Sequence, residues 1–171
     1  MTTLWFLNTS NDPFSQPFAI LDFDVAEAHN VGPMTYGRAI GSEESKKAAA
    51  AALAEARANN WNMAVAIVDP AGFLVYFEKI DDTQHASVAV AQAKARCAAL
   101  FKRSTKTFQD MLASGGEGLR VLGLEGAVPV EGGLPIVVGG AIVGAIGLSG
   151  GTSAQDGQCA QAGLDALAEA R

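Results

Sequence analysis

The sequence predicts an α+β domain: a mainly antiparallel sheet with helices packed on its faces, of the PAS- or profilin-like kind. Three observations lead there. Stretches of helical period, near 42–60, 85–103 and 153–170, alternate with paired β-rich runs. The runs of each pair are joined by turns too tight for a crossover, Asp69-Pro70-Ala71-Gly72 and Gly139-Gly140. No charged side chain occurs between Gly132 and Gln155, yet Pro135 and several glycines interrupt that stretch. A bilayer-spanning helix needs roughly 20 apolar residues, so this length is read instead as two short strands and no membrane span.

Composition supports one globular domain. The 171 residues are 49% hydrophobic and 18% charged, enough for a core and too apolar for disorder. A formal net charge of −6 argues against a nucleic-acid partner, whose phosphates it would repel. Cys97 and Cys159 lie far apart and make no disulfide framework. Residues 1–37 carry no Lys or Arg, so a secretory n-region is missing and a cytoplasmic location is expected. Residues 1–40, with Pro13, Pro17, Gly32 and Pro33, read as an irregular N-terminal arm, and residues 41–171 as the domain. Trp5, Phe6, Phe14 and Phe18 in the arm need cover, from this chain or from a neighbouring subunit.

The elements follow in order. Ser42 is expected to cap a first helix whose opening turn holds Glu43 and Glu44, with Ala49, Ala52, Leu53 and Ala56 as its buried stripe and Asn59-Asn60 as its end. Met63–Val68 and Phe73–Lys79 then form a hairpin. A second helix runs from about His85 to Arg103, with Ala86, Val90, Ala93, Cys97 and Leu100 or Phe101 facing inward. Cys97 is thus a buried hydrophobe rather than a reactive thiol. Ser104 or Thr105 caps a short third helix, and Gly115, Gly116 and Gly118 break the chain. Ile136–Val138 and Ala141–Leu148 make the second hairpin, in which Gly144 and Gly147 signal a bulge or a close backbone approach. Thr152 or Ser153 caps the last helix, Ser153 with Asp156 resembling a capping box, and Cys159, Gly163, Ala166 or Leu167 and Ala170 are its inner stripe.

In that order, the run AVAIVDPAGFLVYFEKID, the run ASVAVAQAKARCAALFKRSTKTF and the run GGLPIVVGGAIVGAIGLSGGTSAQDGQCAQAGLDAL resemble the GlcG/HbpS-like family, which also occurs as the C-terminal domain of some corrinoid adenosyltransferases. The resemblance covers roughly Ser42 to Arg171. It implies a PAS- or profilin-like fold, assembly into dimers to octamers, and haem or iron binding in several members, some of them haem-degrading.

The residues offer two places for a ligand. His85, at the start of the second helix, lies on one helical stripe with Gln92, Arg96 and Arg103. A haem asks for an axial ligand, an apolar slot and cations for its carboxylates; His85 as iron ligand, with Arg96 and Arg103 as anion contacts, would answer, against the plainer reading of a surface histidine beside a solvated basic flank. Lys94, Lys102 and Lys106 add to that flank. The second place is Gly150-Gly151-Thr152, whose free N–H groups at a helix N-terminus suit a small anionic ligand, against the reading of a merely capped turn. Gly132-Gly133 would let a ligand or a subunit approach the backbone. His29 lies in the arm. Asp69 reads as a turn residue rather than a catalytic acid. There is no zinc-type spacing, no C-x-x-C-H, no catalytic triad and no phosphate loop. The expected function is a homo-oligomeric small-ligand binder, with haem as the leading cofactor. An assembly protein without chemistry, or a binder of a hydroxy- or keto-acid, a flavin or a corrinoid, are the alternatives.

Overall fold

The computed structural model describes residues 34–168; the aromatic arm, His29 and Ala170 lie outside them. The helix α1 (Ser42–Ala58) leads into the hairpin β2 (Ala64–Val68) and β3 (Leu74–Lys79), preceded by a two-residue strand β1 (Thr35–Tyr36). Helices α2 (Ser87–Phe101) and α3 (Thr105–Ala113), a 3-10 helix (Gly116–Gly123), the hairpin β4 (Gly133–Val138) and β5 (Ala141–Ser149), and α4 (Ser153–Ala168) follow.

Strand β5 organises the sheet. It pairs antiparallel with β4 along one side and with β2 along the other, and β3 closes the far edge beyond β2. The α+β class with a mainly antiparallel sheet is therefore as the sequence predicts. Both turns form as their residues dictate. The Asp69 carboxylate accepts from the Ala71 and Phe73 amides at 2.9 Å, and Gly72 closes the turn at φ 82°. Gly139 and Gly140 take φ 59° and 79°, the left-handed pair that a two-residue hairpin needs.

The sheet is covered on both faces. Val65, Ile67, Ile146 and Leu148 point to the face under α1 and α4, where Ala48, Ala49, Ala52, Leu53, Cys159 and Ala160 complete the core. Ala64, Ala66, Val68 and Ala145 point to α2, against Ala91, Ala95, Ala98 and Ala99. Small side chains on both partners bring α2 onto the sheet at backbone distance. A Cβ on Gly147 would collide with the Ala91 carbonyl and the Ala95 amide, so the close approach expected there is the helix α2 itself. The expected bulge is present too: Ile136 pairs with Gly144 and Val137 with Ile142, leaving Val143 extra.

Several expectations are corrected. Residue Ser42 is the first helical residue, and Gly41 is the N-cap, without a side-chain cap. Within residues 34–40, Thr35–Tyr36 forms a short strand that pairs in parallel with β5, and the Gly37 and Ile40 amides donate to Ile142 and Val143 at 2.8 Å. The inner face of α2 is rotated from the one predicted. Its buried residues are Ser87, Ala91, Lys94, Ala95, Cys97, Ala98 and Ala99, whereas Ala86, Ala93 and Leu100 are exposed. Ranking Val and Leu above Ala, Ser and Lys points a pattern the wrong way when close packing requires small side chains. The capping box at α4 is Thr152 with Gln155, through the Thr152 amide to Oε1 at 2.9 Å and the Gln155 amide to Oγ1 at 3.4 Å, rather than Ser153 with Asp156.

Replacing Gly147 with Ala should therefore force α2 off the sheet and cost about 1–3 kcal/mol, the usual range for overpacking. Urea unfolding of Gly147→Ala would show a lower midpoint; an unchanged midpoint would contradict the packing described.

Candidate ligand groove

Three stretches distant in sequence meet near the β4–β5 turn. The segment 37–40 is held along β5 by its amides. It is anchored further back by Tyr36, whose hydroxyl donates to the Ala99 and Leu100 carbonyls at 3.2 and 3.1 Å, and by Lys102, which donates to the Met34 carbonyl at 2.8 Å and sits 4.3 Å above the Tyr36 ring. The Tyr36 hydroxyl thereby serves carbonyls at the C-terminal end of α2, which the helix itself leaves without partners. The first turn of α1, the β4–β5 hairpin and the end of α4 supply the other walls.

Between them lies a cavity of about 630 Å³, lined by Arg38, Ala39, Ile40, Gly41, Glu44, Lys47, Ile136, Val138, Val143 and Leu167. Its size is that of a site for a cofactor-sized ligand. Its floor is aliphatic. Arg38 and Lys47 give its rim two cations, and neither has an ion-pair partner among the described residues. Glu44 is the one anion among the described lining residues. Gly41 leaves the N-terminal amides of α1 without a side-chain cap, which adds partial positive charge at the same place.

None of the residues singled out from sequence lines this groove. His85 is exposed in the turn ahead of α2, on the opposite side of the sheet from α1 and α4. Arg96 is exposed, its Nη1 3.5 Å from the Gly72 carbonyl, and about 14 Å of helix separate it from Ser87. Beyond the helix end, Arg103 donates from Nε to the Phe101 carbonyl at 3.1 Å and lies 5.6 Å from the Phe108 ring centre. The three do not converge. At the Gly150-Gly151-Thr152 turn, the Gly151 amide donates to Asp156 Oδ1 at 3.1 Å and the Thr152 amide to Gln155, so the N–H groups that an external anion would use already have internal acceptors.

Lys94 is the largest departure from the expected basic flank. It is 1% exposed, and its Nζ lies 2.6 Å from Oδ2 of Asp156, itself 3% exposed. The pair joins α2 to the start of α4 around the end of β4. Gly132 and Gly133 are there to let this pair in: a Cβ on Gly132 would meet Lys94 Nζ and Asp156 Cβ, and one on Gly133 would strike the Lys94 carbonyl. Burial pushes the Asp156 carboxyl above its ordinary value, while the Lys94 ammonium and the Gly151 and Gly150 amides pull it down. Burial likewise raises the thiol of Cys97, and pushes that of Cys159 up to about 12, so both are inert hydrophobes. Among the described residues no group of three or more His, Cys, Asp and Glu could hold a metal ion, and no helix is long and apolar enough to cross a membrane.

Comparison with known proteins agrees with this fold. Residues 40–165 match the family described as "Haem degrading protein HbpS-like", and the chain belongs to that family. Protein GlcG of Escherichia coli (strain K12) is 40% identical over 85 residues, which are 47% of this chain and 63% of that protein, so the match spans less than two-thirds of that relative's length. A crystal structure of a double mutant of Streptomyces reticuli HbpS is similar with a TM-score of 0.71 and 28% identity, over 80% of this chain and 92% of that one. The crystal structure of a PduOC:heme complex is similar with a TM-score of 0.68 and 26% identity, over 75% and 94% of the two chains.

The buried pair generates a test. Asp156→Asn leaves a buried ammonium without its counter-charge and should cost about 3–5 kcal/mol. Lys94→Met should also destabilise, and the double variant should lose clearly less than the sum of the two. Additive losses in chemical denaturation would show that the two charges do not act together.

Proposed function

We propose that the protein binds haem, or an organic anion of the same amphipathic kind, in the groove bounded by α1, the β4–β5 hairpin and α4. The observation that carries this reading is the cavity of about 630 Å³ with an aliphatic floor and, at its rim, the cations Arg38 and Lys47, which have no ion-pair partner among the described residues. An apolar ring bearing acid groups has the matching chemistry: its faces bury against Ile136, Val138, Val143 and Leu167, and its carboxylates meet the two cations. The family description and the haem complex of a structural relative make haem the first ligand to try.

The residues present meet two of the three demands of haem. The third is an axial donor of the His, Cys, Met or Tyr type. Among the described lining residues only Glu44 offers a donor to iron, and it is a carboxylate. The described histidine, His85, is the basis of a second reading, in which haem is held at the start of α2 without Arg96 and Arg103 converging on it. The exposed Phe73 (66%) and Leu122 (69%) favour a homo-oligomer, which covers them. Light scattering should then give a mass above the 17.6 kDa of one chain; a monomer would contradict that part of the proposal.

Titration with hemin, followed by the Soret band, separates the two sites. Saturable binding is expected. Losing both rim charges in Arg38→Gln/Lys47→Gln should weaken it about tenfold, equal to 1.4 kcal/mol, and His85→Ala should leave it unchanged. A loss on His85→Ala alone would move the ligand to α2. No saturable shift in any variant would end the haem proposal.

A further inference from the structure

We infer that the groove recognises a tetrapyrrole by its apolar faces and its carboxylates and not by its metal, so that a metal-free porphyrin is as good a ligand as haem. The inference rests on the groove being the ligand site, and takes that reading further by naming what the site selects.

The side chains haem proteins use to hold iron are His, Cys, Met and Tyr, and none of these types is in the described lining. The described residues of those types are engaged or remote. His85 stands ahead of α2, across the sheet from the helices that wall the groove. Cys159 is fully buried between α1, α4 and the sheet, and Cys97 is buried with Phe108 and Val121 under the 3-10 helix. Burial holds both thiols protonated, whereas a thiolate is what iron would take. The Tyr36 hydroxyl is spent on the α2 carbonyls, and that of Tyr76 donates to Glu78 at 2.9 Å. Met63 is fully buried, Met111 packs on the Phe108 cluster, and Met34 lies ahead of β1, its carbonyl held by Lys102 and outside the described lining.

Glu44 is the remaining oxygen donor in the groove. It sits in the first turn of α1 and shares the rim with Arg38 and Lys47. Its Oε2 is folded back toward Gly41, 2.6 Å from where a Cβ would stand on that residue.

What remains to drive binding is aliphatic burial and charge pairing. Both depend on the ring faces and the acid groups, which haem and its metal-free parent share. A site of this design takes amphipathic tetrapyrrole dicarboxylates as a class and leaves the central metal without a protein ligand.

The test compares two probes, hemin and metal-free protoporphyrin IX, each titrated against the full chain with quenching of tryptophan fluorescence as the readout. The dissociation constants should agree within about threefold, a difference of under 1 kcal/mol, and Arg38→Gln/Lys47→Gln should weaken both to the same extent. If hemin binds tenfold or more tightly than protoporphyrin IX, the protein ligates iron and the inference is wrong while haem binding stands. If the two probes bind equally but neither responds to the charge substitutions, the site is elsewhere and the inference is again overturned. If neither binds saturably, the haem reading falls with it.

Discussion

Close approach of neighbouring groups to the glycines of β5 is the constraint on which the rest of the structure depends. On one face Gly147 receives the backbone of α2; on the other Gly144 leaves room for Ile40 beside the Val68 carbonyl. Larger residues at either position would hold the layers apart. Because the layers are that close, the facing surfaces of α2 and β2 are built from alanine, and the chain before α1 can lie along β5 instead of leaving the domain. Dispersion contacts at this density, rather than large aromatic side chains, fill the α2 side of the core.

Two consequences follow for charge. Alanine packing leaves α2 with little room for a long inward side chain, yet Lys94 points inward, and it can do so because Gly132 and Gly133 vacate the space beside it and Asp156 meets it there. The same carboxylate accepts from the Gly151 amide, so one buried acid ties α2, the end of β5 and the start of α4 together. A helix N-terminus that looks free in the sequence is thus already satisfied from within. At the opposite end of the sheet, Arg38 and Lys47 flank an aliphatic trough shaped by the β4–β5 hairpin and the bulge at Val143.

Much of the fold is legible in the sequence because it is written in local chemistry. Asp69-Pro70-Ala71-Gly72 and Gly139-Gly140 specify their turns residue by residue, and the alanine stripe of α1 faces where its spacing says. Features that depend on partners distant in sequence are not legible. In the sequence Lys94 resembles Lys102 and Arg103 until Asp156, 62 positions away, is brought beside it. The inner face of α2 is hidden because Ser87, Ala91 and Ala95 carry a weaker hydrophobic signal than the half-buried Val90 and the exposed Leu100. The groove is the least visible feature of all, since its lining comes from residues 38–47, 136–143 and 167. The one available hint was Arg38, the first cation in the chain, in a segment that read as irregular.

The account turns on where an amphipathic ring sits, and ring-current shifts measure that directly. Backbone amide spectra of the labelled protein, recorded with and without metal-free protoporphyrin IX, should show the largest shifts at residues 38–47, 136–143 and near Leu167, with those of 85–103 little changed. Shifts concentrated around His85 and Arg96, or at the Gly150-Gly151 turn, with the groove residues silent, would contradict it.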